Sequence, residues 1–362
     1  MKILYVVTGL WDGGAERVVC DLADEMFKRG HEVKIAYLIG DVLTKPEHEE
    51  IEVIKVNLSD FKTLLPAYIK LSKIIKRFKP DIVHSHMVHA NILTRLVRIS
   101  TPISKLISTA HNSNEGGALR MLGYRVTHRL ANLSTNVSQE ATQAFEDMGA
   151  VPKDGMQTVY NGISLEKFNH IPEARARLEK ELDLSRSAKV VLAVGRFNEQ
   201  KDYPNLLQAI SLLKKEVNYP FKVIIAGDGE LSGLVEEKID SLNLKEDVLL
   251  LGRRNDIPEL MSAADLFVLP SKYEGFGLVV AEAMACECLV VATDCGGVAE
   301  VLNNPKFLVP SSNALFLMKK IKFALELDAE ERKKVIVKNL NHVRESFSLN
   351  RVIEKWVALY YE

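Results

Sequence analysis

Short apolar segments separated by amphipathic helical patterns run through most of the chain, and they occur in two series. The first series has strand-like apolar runs at residues 3–8, 32–38, 53–56, 82–85, 106–109 and 134–137. The second has them at residues 190–194, 222–226, 248–251, 266–269 and 289–292. Near-continuous apolar strands that alternate with helices are typical of parallel sheets covered on both faces. The sequence therefore predicts an α/β chain with two Rossmann-like, doubly wound parallel sheets.

Length and one polar segment divide the chain into two predicted domains. At 362 residues the chain exceeds the roughly 250–300 residues at which a single core usually stops growing. The polar, proline-containing residues 169–172 separate the two series of strands. We predict a first domain at residues 1–168, a second at residues 169–345 and a terminal helix at residues 346–362. The two sheets should face each other across a cleft.

Composition is that of an ordinary soluble protein, with 47% hydrophobic and 26% charged residues. The net charge of −1 argues against a protein that coats nucleic acid. Four cysteines in so long a chain do not form a disulfide framework, and the first residues read as a strand and not as a signal peptide. Since no stretch reaches the ~20 apolar residues that span a bilayer, we expect a cytoplasmic protein whose membrane contact is at most peripheral.

Residues 60–130 carry a local excess of positive charge. Twelve lysines and arginines stand there against three acids, a net charge of +9. Within residues 61–78, apolar side chains recur at helical spacing with lysines between them. A basic amphipathic helix of this kind can lie on an anionic membrane surface. It can also be an ordinary domain helix with a solvated lysine face, and both interpretations stay open.

Residues 270–297 place the carboxylates Glu274 and Glu282, together with four glycines, in a largely apolar run. A buried strand leads into the loop Glu-Gly-Phe-Gly and then into a predicted helix at residues 278–285, whose unpaired N-terminal amides could receive an anion. Glu282 falls inside that helix among valines and alanines. A carboxylate there needs a partner, because burying it unpaired is costly. Sugar hydroxyls would serve.

Two further segments indicate phosphate binding. Gly13 and Gly14 follow the first strand and open a helix, so that backbone amides could approach a ligand closely. A purely structural turn is the alternative. Arg196 and Lys201 follow the strand at residues 190–194 and should emerge at its carboxyl end, where two cations could clamp a pyrophosphate. Solvated surface charges are the alternative in that case.

Three histidines, His84, His86 and His89, have a spacing that zinc could use if a fourth ligand came from elsewhere. No Glu or Cys flanks them at ligand spacing, and no Asp-x-Asp pair is present to hold a magnesium diphosphate. His84 and His86 share one face of a strand whose carboxyl end should border the cleft. Hydrogen bonding to a substrate suits them as well, and we predict no metal site.

Taken together, these motifs resemble those of the retaining GT-B glycosyltransferases, in particular family 4, the glycosyl transferases group 1. The segment from Glu274 to Glu282 is similar to the family's signature of two glutamates separated by seven residues. Motifs that agree with it, in the family's order, are Gly13-Gly14-Ala-Glu-Arg17, Pro80-Asp-Ile-Val-His84-Ser-His86, Thr109-Ala-His111-Asn, Tyr160-Asn161-Gly162-Ile and Gly195-Arg196 with Lys201. The resemblance implies a GT-B fold in which the terminal helix packs back on the first domain.

The resemblance also implies which side chains act on the donor. In the family, the cations matching Arg196 and Lys201 grip the donor diphosphate and stabilise the departing nucleoside diphosphate. The position of Glu274 faces the hydroxyls of the donor sugar, and that of His111 lies beside the transferred sugar. Glu282 corresponds to a residue that bonds the ribose. The other donor-binding positions are Gly13, Gly14, Gly252, Arg253, Phe276, Gly277 and Leu278.

The expected function is transfer of a sugar, with retention of configuration and without a metal, from a nucleotide sugar to a lipid-linked or polysaccharide acceptor in glycan biosynthesis. A UDP sugar is the expected donor; it is a substrate, and no cofactor is expected. The basic residues 60–130 would hold the enzyme at the inner face of an anionic membrane. Two alternatives share the architecture: a nucleotide-sugar epimerase or hydrolase, and a noncatalytic nucleotide-sugar-binding protein.

Overall fold

The structure, a computed structural model, describes the backbone of residues 1–362 and every side chain except that of Phe61. The chain forms two compact units, Met1–Gly162 with Val352–Glu362, and Ile163–Arg351. This division comes earlier in the chain than the boundary predicted after residue 168. The reason is that Ile163 bridges to Ser348 and donates its amide to the carbonyl of Phe347, which ties the linker to the second unit.

In the first unit, parallel strands alternate with helices. In chain order the elements are β1 (Lys2–Val7), α1 (Gly14–Lys28), β2 (Glu32–Tyr37), β3 (Glu52–Lys55), α2 (Leu64–Phe78), β4 (Ile82–His86), α3 (Val88–Val97), β5 (Lys105–Ala110), α4 (Ala118–Thr127), β6 (Leu133–Asn136), α5 (Gln139–Asp147) and β7 (Gln157–Thr158). The strands lie in the order β3-β2-β1-β4-β5-β6-β7, with parallel neighbours throughout. The chain order reverses between β1 and β4, which is therefore the switch point of this sheet.

Burial explains why the central strands of this sheet are apolar. Every residue of β1 after Lys2 and every residue of β4 is buried, since helices cover both faces. α2 turns Ala67, Leu71 and Ile75 into the same core. The helix predicted at residues 61–78 starts as a 3₁₀ turn and becomes α-helical at Leu64. The side chain of Phe61, which belonged to that prediction, lies outside the described part of the structure.

The second unit repeats the architecture. Its elements are α6 (Ala174–Glu181), β8 (Lys189–Val194), α7 (Tyr203–Glu216), β9 (Phe221–Ala226), α8 (Ser232–Ser241), β10 (Val248–Gly252), α9 (Ile257–Ala263), β11 (Leu266–Leu269), α10 (Leu278–Ala285), β12 (Val290–Asp294), α11 (Val298–Leu302), β13 (Leu308–Pro310), α12 (Ala314–Leu325) and α13 (Ala329–Ser346). The strands are parallel in the order β10-β9-β8-β11-β12-β13, so the switch point lies between β8 and β11.

The last helix, α14 (Leu349–Tyr361), joins the first unit from Val352 onward. Its buried side includes Trp356 and Tyr360. The Tyr360 hydroxyl lies 2.7 Å from His84 Nδ1 and 3.1 Å from the Tyr5 hydroxyl, and Lys105 Nζ donates to the carbonyl of Leu359 at 2.6 Å. These bonds attach the chain terminus to the central strands β1, β4 and β5.

One edge strand of each sheet, β7 in the first and β13 in the second, was not predicted from the sequence. β7 consists of Gln157 and Thr158 alone, and β13 ends in a proline, so neither has the apolar run of a central strand.

Among the described residues, no helix is long and apolar enough to cross a membrane.

Candidate active site

The carboxyl ends of β8 and β11 lie side by side at the switch point of the second unit, where open α/β sheets bind their ligands. Lys201 ends a 3₁₀ turn (Glu199–Lys201) that follows β8, and Glu274 lies in the loop that follows β11. Lys201 Nζ is 2.6 Å from Glu274 Oε1. The lysine side chain is 16% exposed and that of the glutamate 9%, so solvent screens this ion pair much less than a surface pair.

Two further donors hold the Glu274 carboxylate. Ser271 Oγ donates to Oε1 at 2.8 Å, and Gln200 Nε2 donates to Oε2 at 3.2 Å. The lysine is fixed in its turn because Asn198 Oδ1 accepts a hydrogen bond from the Lys201 amide at 3.1 Å. Both charges are thus oriented before any ligand arrives, which is the arrangement that makes electrostatic stabilisation effective.

Two glycines give these groups their space. At Gly195, a Cβ atom would lie 3.0 Å from Lys201 Cε, so the lysine stem passes directly over the glycine. At Gly296, whose φ is +54°, a Cβ atom would collide with the carbonyl oxygen of Glu274. The loops after β11 and β12 can therefore touch only because position 296 is glycine.

The helix predicted at residues 278–285 is α10, and it has the predicted bounds. Gly277 is its N-cap with φ +87°, a left-handed conformation that favours glycine. Phe276 is buried edge-on against Phe347, with ring centroids 5.3 Å apart. The Val280 amide bonds the carbonyl of Gly277 at 2.9 Å, and the amides of Leu278 and Val279 lie at the start of the helix, where the helix itself supplies no acceptor. Glu282 lies within α10 beside buried Ala281 and Ala283 and is itself partly buried.

The other cations predicted for donor binding lie on exposed loops. Arg196 Nε is 3.1 Å from Glu230 Oε2, and both side chains are more than half exposed. Arg253 Nε lies 3.8 Å from Asp228 Oδ2, again with both side chains in solvent. Gly252 ends β10 with φ +64°, just after a register shift in its pairing with β9. Exposed ion pairs of this kind contribute little to stability, so an incoming anion can replace the carboxylate at small cost.

In the first unit, Gly13 and Gly14 stand where they were predicted, at the start of α1. Gly13 is the N-cap, and a Cβ atom on it would collide with the carboxylate of Glu16. Glu16 is buried; its burial, with a contribution from Asp12, raises the pKa of its carboxyl group. The helix end expected to receive an anion therefore already has a carboxylate beside it, which the sequence analysis did not foresee.

His111 follows β5 and is buried beside a second histidine. Its Nε2 lies 3.0 Å from Nδ1 of His86, the last residue of β4. Burial lowers the pKa of His111 to about 4 and that of His86 well below its usual value. Both rings are therefore neutral near pH 7.

The run of three histidines noted in the sequence does not converge on one point. His84 is engaged through Nε2 with the Thr109 hydroxyl and through Nδ1 with the Tyr360 hydroxyl, each at 2.7 Å. His86 faces His111, and His89 lies on α3. Among the described side chains, no group of three His, Cys, Asp or Glu is arranged to hold a metal ion.

A buried polar network below His111 was missed in the sequence. Glu115 Oε1 accepts the His111 amide at 2.8 Å, and its Oε2 accepts the Tyr124 hydroxyl at 2.5 Å. The fully buried guanidinium of Arg95 lies over the Tyr124 ring, 5.1 Å from its centroid. Burial raises the pKa of Glu115 and lowers that of Arg95 to about 10. The sequence contains one indication of this network, because Glu115 is the only acidic residue between positions 82 and 139.

The fold and the site together identify the class of protein. Two Rossmann-like units, one with a lysine and a glutamate joined at its switch point, are the architecture of a GT-B glycosyltransferase. Residues 12–167 match the family Glycosyltransferase Family 4, and residues 174–341 match the family Glycosyl transferases group 1. The chain belongs to these family 4, group 1 glycosyltransferases and is an enzyme of glycan biosynthesis.

Individual relatives agree with this assignment. The chain is 28% identical over 374 residues, 99% of its length and 98% of the relative's, to the GalNAc-alpha-(1->4)-GalNAc-alpha-(1->3)-diNAcBac-PP-undecaprenol alpha-1,4-N-acetyl-D-galactosaminyltransferase of Campylobacter jejuni. It is 26% identical over 308 residues, 81% of its length and 78% of the relative's, to the N-acetyl-alpha-D-glucosaminyl L-malate synthase of Bacillus anthracis. The crystal structure of HepE from Anabaena in complex with UDP and glucose has a TM-score of 0.87 at 21% identity, with 100% of both chains covered. This last likeness is one of fold.

Proposed function

We propose that this chain is a retaining, metal-independent glycosyltransferase that moves a sugar from a UDP sugar to a lipid-linked or polysaccharide acceptor. The observation that carries the proposal is the pair of Lys201 and Glu274, oriented by Ser271 and Gln200 at the switch point. In the proposed donor complex, Lys201 turns from the glutamate to the diphosphate. Glu274 then accepts hydrogen bonds from the hydroxyls of the donor sugar.

The proposed reaction is a substitution on one face of the donor sugar. The bond between the anomeric carbon and the phosphate oxygen breaks, and its electron pair leaves with UDP. The acceptor hydroxyl bonds to the anomeric carbon from the same face, and its proton passes to a phosphate oxygen of the leaving group. Lys201 stabilises the charge that develops on that oxygen. Arg196 joins it when the diphosphate replaces Glu230, and these two cations do the work that a metal does elsewhere.

The proposed role of His111 is to bind without carrying charge. Because burial lowers its pKa to about 4, the ring is neutral at physiological pH and can hydrogen-bond a sugar hydroxyl. Glu282 is proposed to bond the ribose, for which its partly exposed position on α10 is suited. Gly252 and Arg253 are proposed to contact the nucleotide base. The remaining donor contacts are proposed for the backbone of Gly13, Gly14, Phe276, Gly277 and Leu278.

The proposed acceptor is a glycan on a polyprenyl diphosphate. The Campylobacter relative is named for such an acceptor, an undecaprenol-linked glycan, and the similarity covers nearly the whole of both chains. The Bacillus relative is named for L-malate, so a small hydroxy acid is the second candidate. A cytoplasmic location, at the inner face of the membrane, is part of the proposal; free cysteines in both units support a reducing compartment.

The test is sugar transfer with defined donors. The protein is screened for thermal stabilisation by UDP sugars and other nucleotide sugars, since a ligand that binds the folded state raises its stability by mass action. The best donor is then incubated with polyprenyl-diphosphate glycans or with L-malate, before and after dialysis against EDTA. We expect a lengthened glycan with the donor's anomeric configuration, unchanged by EDTA. Product with inverted configuration would overturn the retaining mechanism, and loss of activity in EDTA would overturn metal independence. An epimerised or hydrolysed donor without transfer would overturn the assignment as a transferase.

A further inference from the structure

The imidazole rings of His86 and His111 are in direct contact. Nδ1 of His86 lies 3.0 Å from Nε2 of His111, and the ring centroids are 5.3 Å apart. Burial lowers the pKa of both rings far enough to keep them neutral near pH 7. A neutral imidazole has one N–H donor and one bare nitrogen that accepts. One of the two rings therefore donates to the other, and two arrangements of the protons have to be compared.

The second ring nitrogen of His86 distinguishes the two arrangements. Nε2 of His86 is enclosed and has no hydrogen-bond partner among the described groups. The rings of His84 and Tyr5 lie against it, with centroids 4.1 and 5.9 Å from that of His86. The polar atoms of these neighbours are engaged elsewhere, with the hydroxyls of Tyr360 and Thr109. Within the described part of the chain, nothing accepts an N–H from His86 Nε2.

The arrangement with a bare Nε2 on His86 is the less costly one. If His111 donated, His86 would carry its proton on Nε2 as a buried N–H without an acceptor, and such N–H groups are rare in native proteins. If His86 donates from Nδ1, its Nε2 is bare, and unpaired acceptors are tolerated more often than unpaired donors. His111 then accepts at Nε2 and carries its own proton on Nδ1.

The surroundings fix His111 in this state. The Glu115 carboxylate accepts the His111 amide at 2.8 Å, which holds the backbone. His86 cannot follow a movement of the ring, because its backbone is paired with Val7 of β1 and Thr109 of β5. His111 is 7% exposed, and its Nδ1 is not among the enclosed polar atoms that lack a partner. The nitrogen that remains for a ligand is therefore a preorganised donor.

We propose that His86 is a positioning residue that holds His111 as the tautomer with its proton on Nδ1. His111 then donates from Nδ1 to an acceptor on the ligand, the oxygen of a sugar hydroxyl. The opposite tautomer would accept the hydroxyl proton instead. The identity of the ligand rests on the proposed function, whereas the tautomer is a property of the protein alone.

The experiment is ¹⁵N NMR of the full chain with ¹⁵N-labelled histidine rings near pH 7. Protonated and bare nitrogens of a neutral imidazole differ widely in ¹⁵N shift, so the spectrum gives the tautomer directly. The variants His86→Asn and His111→Asn assign the signals. We expect a proton on Nδ1 and a bare Nε2 in both rings. A proton on Nε2 of either ring, or a charged ring, would overturn the proposal.

Two substitutions of His86 separate positioning from packing. Asn at this position keeps a side-chain N–H near the place of Nδ1, so His111 should keep its tautomer. Leu removes the donor, so His111 should change to the tautomer with its proton on Nε2. With the UDP sugar, kcat/KM should then fall about 10-fold for His86→Leu, the loss of roughly one neutral hydrogen bond. The fall should appear chiefly as a higher KM, and His86→Asn should recover most of it.

His84→Asn is the matched control. His84 lies on the same strand and is equally buried, but it bonds Tyr360 and Thr109 instead of His111. The substitution should lower Tm and leave the His111 tautomer unchanged. A changed tautomer in this variant, or an unchanged one in His86→Leu, would show that packing sets the tautomer and would overturn the role of His86. If His86→Leu does not fold in thermal melts, the wild-type spectrum still decides.

Failure of the proposed function would be visible separately. UDP is added first, and then the UDP sugar that stabilises the protein most, to show whether the His111 Nδ1 signal responds to the sugar. The expected tautomer without a response to either ligand would leave His86 in its role and remove His111 from the proposed donor site. A response to the sugar by the opposite tautomer would do the reverse.

Discussion

Replacing Lys201 by Ala tests the proposed active site most directly. The substitution removes the ammonium group that lies 2.6 Å from Glu274 Oε1 and leaves Ser271 and Gln200 as the donors to that carboxylate. It also removes the cation proposed to stabilise the leaving diphosphate. Two separate effects should follow, one on the folded protein and one on the reaction.

The effect on stability should be moderate. The Glu274 side chain is 9% exposed and loses its charged partner, but two neutral hydrogen bonds remain. An incompletely satisfied buried polar group costs about 1–3 kcal/mol. The free energy of unfolding should fall within that range, which corresponds to a Tm lower by roughly 2–4 °C per kcal/mol for a unit of this size.

The effect on turnover should be much larger than the loss of folded protein explains. Loss of one preorganised group that stabilises developing charge costs roughly 10²–10³-fold in kcat. Turnover is measured with saturating UDP sugar at a temperature well below the melting transition of the variant. Lys272→Ala is the control, because Lys272 lies on the same loop as Glu274 but pairs in solvent with Glu199 at 3.4 Å.

We expect Lys272→Ala to be close to wild type in both measurements, since exposed ion pairs contribute little. If Lys201→Ala were to turn over at a near-normal rate, the role proposed for the lysine would be refuted. If its kcat fell only as far as the folded fraction fell, the lysine would be a structural partner of Glu274 and not a catalytic group.

Three further outcomes are expected. Gly296→Ala should lower both the free energy of unfolding and donor affinity, because its Cβ would collide with the loop after β11; thermal melts with and without UDP sugar measure both, and unchanged values of both would contradict the site geometry. The free energy of unfolding should fall as pH drops from about 6.5 to about 4, because His111, with a pKa lowered to about 4, takes up its proton only on unfolding in that range; urea melts should show a shallower fall for His111→Asn. Tyr360→Phe should cost about 1–2 kcal/mol by removing the hydroxyl bonded to His84, whereas removal of the exposed Tyr361 hydroxyl should have no effect in the same urea melts.

Much of the fold was predictable because buried parallel strands are apolar throughout. β8, β9 and β11 fall within a residue or two of their predicted positions, and α10 has the predicted bounds. The proximity of Lys201 and Glu274 follows from the same pattern, because each residue comes after a predicted strand and the two strands are neighbours in the sheet. The edge strands β7 and β13 were not predicted by this argument, because an edge is paired on one side only and tolerates polar residues and proline.

Charged residues were where the sequence argument failed, because charge is normally taken to indicate exposure. Arg95 is fully buried over the Tyr124 ring, and Glu115 is buried under His111. Conversely, the apolar side chains of Leu119, Leu122 and Val126 on α4 lie in solvent. Arg196, which is proposed to act with Lys201, has an exposed carboxylate partner in Glu230 that the sequence did not indicate. A local pattern does not specify the partner that a charge finds across the sheet.

The ion pair at the switch point has a consequence for how UDP and a UDP sugar should differ as ligands. On the proposed assignment, a diphosphate that takes Lys201 removes the charged partner of Glu274. UDP alone leaves that carboxylate short of one hydrogen bond in a nearly buried position. A UDP sugar replaces the lost bond with a sugar hydroxyl. Since hydrogen bonds to charged groups contribute about 1.5–3 kcal/mol, the intact donor should bind roughly 10- to 100-fold more tightly than UDP.

Glu274→Gln provides the test of this difference. Its neutral amide makes no ion pair with Lys201, so UDP no longer separates two charges when it binds. The affinity for UDP should therefore rise relative to wild type, while that for the UDP sugar should fall, because the hydroxyls lose a charged acceptor. Calorimetric titration of both ligands into both proteins gives the four affinities. Equal preference for the UDP sugar over UDP in wild type and variant would show that the glutamate does not contact the transferred sugar, and it would leave the lysine as the only group of the pair with a role in donor binding.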